Sequence, residues 1–439
     1  MELLIVFSVF VACMAAALIF DVTMLLPLGI GFILFAGLSL RRGFTLKQVL
    51  GFAKESLRDS FIVVGILLLI GCLTGMWRLS GTVAYFVTLG VSAIPPKVFV
   101  LAAFLLSAVM SYALGTSFGV TATAGVILMS IARAGGVDPV LTAGAVMSGV
   151  YVGDRGSPAA SSGNLVAVLT HTDMRRNVRD MLKCSIVPFA LCCVIYALLS
   201  LGSPMESMDT GIMNMLGEEF ELVWYCLVPA VLMIVLPFCG LSVKWSMAVS
   251  LASSFAVSLF VQNESLLSCL RAMTVGYEAE NAELSAMLSG GGIVSMLEIC
   301  GILIISCSYG SIFENTGMLF SVNEKVGRLS DKIGRYPVML ILGALVSALF
   351  CNQTIGAMMQ SNLSSGLYRE DESYDKMIDM ENSVILEAGL VPWCIACSVP
   401  LAMLGVGVST VPLAFYLWLV PLWWLIRTKT KKTKTSEQI

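Results

Sequence analysis

The sequence contains many apolar runs that approach or exceed the length of a membrane-spanning helix, and two of them, residues 3–20 and 22–40, open the chain. A helix needs about 20 mostly apolar residues to cross the hydrocarbon core of a bilayer. The alternating ten-residue segments typical of a membrane β-barrel do not occur. Only 13% of the residues are charged, which is roughly half the fraction usual in a soluble protein. The sequence therefore predicts an all-α polytopic membrane protein with roughly 10–12 spans.

Charge and cysteine content argue against several kinds of partner and site. The net charge of −3 argues against a nucleic-acid partner, which would need a basic surface. The 13 cysteines are scattered, mostly inside apolar runs, as expected for small hydrophobic residues in a membrane core. His171 is the only histidine, and Cys394 and Cys397 form an isolated pair, so no transition-metal site or cofactor is predicted. The first apolar run lacks a basic start and is interpreted as a retained span.

One stretch, residues 151–164, departs from the apolar background because it contains an acid, a base, three serines and an amide between apolar flanks. Its glycines and proline are expected to break any helix through it: Gly153, Gly156, Gly163 and Pro158. At membrane depth, broken backbone is tolerated only where it packs in protein or lines a wet cavity, and an ionisable residue there indicates function. We therefore interpret Asp154 and its neighbours as half of a binding site. The alternative is a polar loop at the membrane surface.

The second half of the chain resembles the first with the charges exchanged. Residues 41–59 are basic and are predicted to form an interfacial amphipathic helix, whereas the corresponding residues 262–292 are acidic. Such an exchange is what the positive-inside rule requires of an inverted repeat. The spacings also correspond, at 40 and 41 residues for Gly75 to Gly115 and Gly310 to Cys351, and at 39 and 36 residues for Gly115 to Asp154 and Cys351 to Glu387.

This pattern predicts two inverted-topology repeats with broken helices and re-entrant hairpins. The expected parts are a first repeat at residues 1–202, an external acidic linker at 203–220, a second repeat at 221–427 and a basic cytoplasmic tail at 428–439. A second basic surface helix is expected at 173–183, and the tail is expected to be mostly disordered. The basic segments place both termini in the cytoplasm.

Four polar breaks are predicted to interrupt the helices, at residues 115–125, 153–164, 351–362 and 381–392. Inverted repeats usually place their substrate near the membrane midplane, where such breaks face each other. A hard cation such as Na+ prefers oxygen ligands, and the breaks are rich in them. The candidate ion- or substrate-binding residues are Thr116, Ser117, Asp154, Ser157, Ser161, Ser162, Asn164, Asn352, Gln353, Thr354, Ser383 and Glu387.

Asp154 and Glu387 are the candidates for proton coupling, with Asp154 first. A carboxyl that is removed from water binds a proton more readily, so it can exchange a proton for a cation near neutral pH. Together with Asn164, these two acids are the main candidate Na+ ligands.

Arg155 and two amides have alternative roles. Arg155 either pairs with an acid and holds the loop, which we favour, or contacts a substrate carboxylate. Asn352 and Gln353 could instead serve as hydrogen-bonding groups between packed helices.

Several short motifs occur in a fixed order: GTSFG at residues 115–119, SGVYVGDRGSP at 148–158, Asn164-Leu165, Thr172-Asp173, then Glu381, Ser383 and LVPW at 390–393. This combination resembles the NhaC-type Na+/H+ antiporters from about residue 61 onward. The resemblance implies a fold of inverted repeats with hairpins and broken helices. It implies exchange of Na+ for protons, or, as in some members, of small carboxylates or amino acids. It also implies that Asp154, Ser157, Asn164 and Thr116 lie at or near the site.

Two departures from the family pattern concern charge. Ser161, Ser162 and Gly163 stand where the family usually has an aspartate followed by two threonines, and Glu387 replaces a family threonine. Our hypothesis is that Glu387 restores the missing charge across the site. If Ser161 instead only removes a cation ligand, Na+ binding weakens and an organic substrate is favoured.

These observations predict an integral inner- or plasma-membrane secondary active transporter that works by alternating access around a midplane site. Our first hypothesis is a Na+/H+ antiporter. The alternative is a Na+- or H+-coupled transporter or exchanger of a small carboxylate or amino acid. Two other classes of membrane protein remain as alternatives, a passive channel and an intramembrane enzyme. For an enzyme, a single histidine leaves no Ser-His or Cys-His pair apparent. The oligomeric state is left open, with a homodimer as one alternative.

Overall fold

A computed structural model of the protein describes residues 2–20, 22–93, 95–203, 210–279, 281, 284–285, 288–316 and 323–436. Throughout these residues the backbone is helical or irregular, apart from one isolated β-bridge between Tyr277 and Gly290. The described part holds four helical segments that are long and apolar enough to cross a membrane: Pro96–Leu114, Ser117–Ala134, Met174–Gly202 and Val294–Phe313. A pair bent by 65°, Val64–Leu79 with Thr82–Leu89, would make a fifth, and shorter apolar helices accompany them. The protein is an all-α membrane protein.

The helices of the first half are α1 (Glu2–Ile19), α2 (Leu25–Arg41), α3 (Leu46–Leu79), α4 (Thr82–Ala93), α5 (Phe99–Leu114), α6 (Ser117–Val120), α7 (Val126–Ala134), α8 (Pro139–Gly156), α9 (Ser161–Thr170), α10 (Met174–Gly202) and α11 (Thr210–Glu219). A π-helical turn, Thr121–Gly125, joins α6 to α7.

The helices of the second half are α12 (Val228–Phe238), α13 (Val243–Phe260), α14 (Leu266–Thr274), α15 (Leu297–Thr316), α16 (Asn323–Ile333), α17 (Arg335–Phe350), α18 (Gln353–Leu363), α19 (Ser373–Glu381), α20 (Val384–Glu387), α21 (Ile395–Leu404) and α22 (Phe415–Ser436). Short 3-10 turns lie at Pro96–Val98, Trp224–Leu227, Val294–Met296, Ser365–Leu367, Glu370–Glu372 and Val408–Leu413.

The separate surface helix predicted at residues 41–59 is wrong, because α3 runs without interruption for 34 residues. A capping box formed by Thr45 and Gln48 starts this helix, and no proline follows before its end. The prediction of a separate surface helix at 173–183 is wrong for a similar reason. Asp173 caps α10, and that helix continues through the apolar span to Gly202. In each case one N-terminal cap starts a helix that joins a basic segment to a span, and α10 continues through Pro188.

The basic tail, predicted to be mostly disordered, continues α22 as far as Ser436. Lysine has a high helix propensity, and positive charge is favourable near a helix C-terminus. The expected linker at 203–220 contains α11, and residues 204–209 of it lie outside the described residues.

The helix breaks near residues 115 and 351 are real but only two residues long. Gly115 ends α5 with φ 68°, and Thr116, at φ −145° and ψ 124°, caps α6. Cys351 ends α17 with φ 53°, and Asn352, at φ −140° and ψ 124°, caps α18. At both places a left-handed residue followed by an extended one ends one helix and begins the next.

Gly153 and Gly156 do not break α8, contrary to the prediction, and the interruption is confined to Ser157–Ala160, since Gly163 is also helical, in α9. Gly153 instead lets α8 approach α5 closely, because a Cβ at this position would collide with the backbone of Ser111 and Tyr112. The helix continues through these glycines since tight packing against a neighbour outweighs their weak helix propensity.

Candidate functional site

Asp154 lies in the last turn of α8, where the two helix breaks meet. Its side chain is 5% exposed. The backbone N–H of Ser117, the first residue of α6, donates to Oδ1 (3.2 Å). Nε2 of Gln353, the first residue of α18, donates to Oδ2 (3.3 Å) and also to the carbonyl of Ile385 (2.9 Å). The carboxylate therefore joins the starts of two half-helices that are far apart in sequence.

Helix N-termini favour negative charge because their first N–H groups have no intrahelical acceptor. The α6 segment continues through the π-helical turn into α7, so the end that faces Asp154 begins a helical run from Ser117 to Ala134. Two hydrogen bonds occupy part of the lone-pair capacity of the carboxylate, which can accept about four. Asp154 can therefore bind a cation or a proton without losing either donor.

The loop after Asp154 packs against the first break. The Ser162 hydroxyl donates to the carbonyl of Asp154, and Ser157 Oγ accepts the N–H of Ala159 (3.1 Å). Gly115 touches this loop so closely that a Cβ there would overlap Ala159 and Ala160. Ser117 and Ser162 thus bond to Asp154, the first through its backbone N–H and the second through its hydroxyl, whereas Ser157 bonds within its own loop.

Arg155 does not form the ion pair that the sequence led us to favour. It is 1% exposed, and no ion pair between described residues includes it. Its guanidinium donates to four neutral groups instead: Ser185 Oγ (2.6 Å), Tyr416 Oη (3.2 Å), Cys184 Sγ (3.0 Å) and Asn382 Oδ1 (2.5 Å). We name these five residues the Arg155 cluster. The guanidinium is held by α10, α19 and α22, which leaves its charge without a direct counterion in the described structure.

Glu381 was not among the candidate binding residues, although it belongs to the motifs that carry the family resemblance. Glu381 ends α19, is fully buried, and neither carboxylate oxygen has a hydrogen-bond partner among the described residues. It lies within electrostatic range of Arg155 and Asp154. Asn382, which follows it and binds Arg155, was also missed. Its place in the motifs that carry the family resemblance was the available signal for Glu381, whereas nothing local marked Asn382.

Ser383 and Glu387 lie on the α17 and α18 side of the site. Ser383 Oγ donates to the carbonyl of Asp379 (2.7 Å) and accepts from Gln360 Nε2 (2.9 Å). Glu387 Oε2 is buried beside Gly343, where any Cβ would collide with it, and has no hydrogen-bond partner in the part of the chain described. Gln353, which binds Asp154, also reaches the backbone carbonyl of Ile385, two residues before Glu387.

The remaining candidates lie at the edge of this site. Thr116 and Asn352 use their side-chain oxygens to cap α6 and α18. Ser161, Asn164 and Thr354 are exposed. The amide of Asn164 donates to the carbonyl of Ala160 (2.7 Å) and not to Asp154.

The sequence matches the Na+/H+ antiporter family over residues 2–202 and 149–426. A similar protein is the malate-2H+/Na+-lactate antiporter of Bacillus subtilis (strain 168), 26% identical over 434 residues, which are 95% of this chain and 91% of that protein. The Na+/H+ antiporter NhaC of Alkalihalophilus pseudofirmus is 24% identical over 84% of this chain and 81% of its own. The arginine/ornithine antiporter ArcD of Halobacterium salinarum is 27% identical over 80% of this chain and 75% of its own.

Proposed function

This chain belongs to the Na+/H+ antiporter family, and we propose that it exchanges Na+ for H+ by alternating access around Asp154. The observation that carries the proposal is the position of that carboxylate, buried between the first residues of α6 and α18. A single acid that binds either a proton or Na+, but not both, couples the two flows, because only the loaded site moves between the two sides.

The two breaks support an inverted repeat at the centre of the fold. Both α5 and α17 are 16 residues long, and a left-handed residue follows each of them. The N–H of that residue donates to the backbone carbonyl of a serine four positions earlier, Ser111 or Ser347. The starts of the two helices lie at opposite ends of α10. The N–H of Val100 donates to Ser200 near the C-terminus of α10 (3.2 Å). Arg335, at the start of α17, instead pairs with Glu372 just before α19, and Tyr374 in the first turn of α19 lies under Arg176 at the N-terminus of α10.

Contacts at the ends of each broken pair support a re-entrant hairpin. The α6–α7 segment ends at Arg133, which binds the carbonyl of Leu404 (2.8 Å) and lies within electrostatic range of Arg78 at the end of α3. The α18 segment leads back to Tyr368, whose ring lies near Arg335 at the start of α17. We propose hairpins that enter from opposite sides and meet at Asp154, within repeats at residues 1–202 and 221–427 and roughly 10–12 spans in total.

Charge distribution supports cytoplasmic termini. The start of α10 and the end of α22 carry Arg176 and Arg427 near the same end of α19, with Arg176 over the Tyr374 ring and Arg427 beside Asp375. The opposite surface, around α11 and α14, is acidic. By the positive-inside rule the basic side faces the cytoplasm.

In this mechanism Asp154 is the primary proton and Na+ site, and Glu387 supplies charge across it. The caps Thr116 and Asn352 and the amide Gln353 supply oxygen ligands once the hairpins move, and Ser383 and Asn164 line the path on either side. Asp154 releases its proton on one side, takes Na+, and reverses this on the other.

The test is exchange by the purified full chain in proteoliposomes. An imposed Na+ gradient should drive proton movement that an internal pH dye reports, and replacing Na+ with K+ should abolish it. A pH gradient that Na+ fails to dissipate would reject Na+/H+ exchange.

A second candidate is exchange of a small carboxylate or amino acid. It is favoured by Arg155, whose buried charge meets only neutral donors and acceptors, so an anionic group could supply its counterion. Two of the similar proteins are named for organic substrates. Counterflow of labelled malate, lactate or arginine in the same proteoliposomes, with no effect of Na+ on internal pH, would select this candidate.

A further inference from the structure

A cavity of about 260 Å³ opens beside the end of α22, on the side that carries the basic tail. We call it the tail-side cavity. It is lined by residues of the α16–α17 junction, α19 and α22: Ile333, Arg335, Tyr336, Asp375, Asp379 and Arg427 among them. Of these residues only Asp379 touches the site described above, through its backbone carbonyl.

Tyr336 links this cavity to the Arg155 cluster. It lines the cavity, yet is only 2% exposed. Its hydroxyl donates to the carbonyl of Asn382 (2.8 Å) and to that of Pro421 (3.3 Å). Asn382 in turn binds Arg155 through Oδ1. Tyr336 therefore touches both the cavity and a residue of the cluster, and its single O–H proton, shared between the two carbonyls, holds the ring in place.

The cavity wall leads to the transport site along α19. Asp379 is buried in the wall, and its carboxylate accepts from Trp424 Nε1 (2.6 Å) and Tyr368 Oη (2.7 Å). Its backbone carbonyl accepts from Ser383, one helical turn further in. Polar groups are thus continuous from the cavity to the candidate site.

The charges around the cavity suit a cation more than an anion. Arg335 is paired with Glu372 (2.7 Å) and Arg427 lies near the ring of Trp424. Asp379 is bound only by neutral donors, and Asp375 also lines the cavity. Counting Glu372 with the lining groups gives three acids against two bases, which attracts cations to a water-filled recess.

We propose that the tail-side cavity is the approach to the transport site from the tail side, and that Tyr336 is the gate between the two. The proposal rests on the proposed transport function but not on Na+ as the cargo. In the conformation described, the gate is closed. Opening requires the Tyr336 hydroxyl to leave Asn382 and Pro421, which would also free Asn382 to move with Arg155.

The native thiol of Cys184 reports on this gate. It lies in the Arg155 cluster, 2% exposed, with Sγ 3.0 Å from Arg155 and 3.5 Å from Asn382. The probe is a charged, membrane-impermeant methanethiosulfonate added on the tail side of oriented liposomes that contain the full chain. Peptide mass spectrometry gives the rate of Cys184 modification. Tyr336→Phe keeps the ring and removes the O–H donor that the two carbonyls share. Loss of this one donor should increase the rate of Cys184 modification about fivefold, the factor for one net hydrogen bond.

Tyr374→Phe is the matched control, because that hydroxyl also binds backbone, the N–H of Asp173, but lies outside the cavity. Its Cys184 rate should equal that of the parent, and so should the rate at the distant Cys300. Equal rates in Tyr336→Phe and the parent, or faster modification from the opposite side, would overturn the proposal. Labelling needs no transport, so failure of Na+/H+ exchange in the proteoliposome assay is a separate result.

Discussion

Asp154→Asn tests the central claim because it changes charge with almost no change in shape. The asparagine oxygen can still accept the N–H of Ser117, but its amide would face Nε2 of Gln353, and two donors would meet. The variant loses one hydrogen bond to a charged acceptor, about 1.5–3 kcal/mol, and in return no longer buries a charge. We therefore expect it to fold.

The effect on transport should be much larger. A cation about 4 Å from a carboxylate gains about 4 kcal/mol at an effective dielectric of about 20. Loss of that term lowers affinity about 1000-fold. Labelled Na+ binding to the purified protein and Na+-driven proton movement in proteoliposomes should both fall below detection.

Two further variants make the result decisive. Asp371→Asn is the same substitution at an exposed aspartate and should exchange as the parent does. Adding Gln353→Glu to Asp154→Asn returns one carboxylate to the same junction and should restore part of the binding. Exchange by Asp154→Asn within about threefold of the parent would refute the assignment of the ion to this carboxylate.

Two further predictions follow from packing and from the surface ion pair. Gly153→Ala places a Cβ into the Ser111 backbone, so it should destabilise the protein by about 3 kcal/mol and abolish exchange. Gly156→Ala, whose Cβ would meet only Leu182 at 4.0 Å, should leave stability and exchange unchanged. Equal melting temperatures of the two glycine variants in detergent would contradict this packing argument. The hydrogen bond from the N–H of Arg369 lowers the pKa of Glu372 most, and the hydrogen bond from the Arg335 side chain lowers it further. Its stabilisation is therefore present above the ordinary glutamate pKa of about 4.3 and lost as the pH falls through the lowered value. Glu372→Gln should cost at most about 1 kcal/mol at pH 7 and progressively less as the pH falls through the lowered pKa, and a cost independent of pH would disprove the linkage.

The sequence was a reliable guide where the membrane leaves the backbone little choice. Apolar runs had to be helices, since only helices or closed barrels satisfy every backbone group in lipid. The breaks after Leu114 and Phe350 were located correctly from glycine and polar residues. Family membership followed from a few motifs around Asp154 and Glu381, and the match of residues 2–202 and 149–426 confirmed it.

The errors came from local signals that tertiary packing outweighed. Gly153 was interpreted as a helix breaker, but it is the contact point of α8 with α5. Residues 41–59 were separated from the following span by composition alone, whereas the Thr45 cap and an uninterrupted helix join them. Arg155 was assigned an acidic partner because buried arginines usually pair with an acid, but the last turn of α8 directs it to α10, α22 and Asn382 at the end of α19.

By itself, then, the sequence determined that this is an all-α membrane protein of an antiporter family and that Asp154 lies close to an interruption of its helices. Only the tertiary structure decided what surrounds that carboxylate. Its two donors are 37 and 199 positions away in sequence, and the buried, unpaired Glu381 comes from a third element. Helical periodicity and propensity act over a few residues, whereas these contacts depend on how closely distant helices pack, which no local pattern encodes.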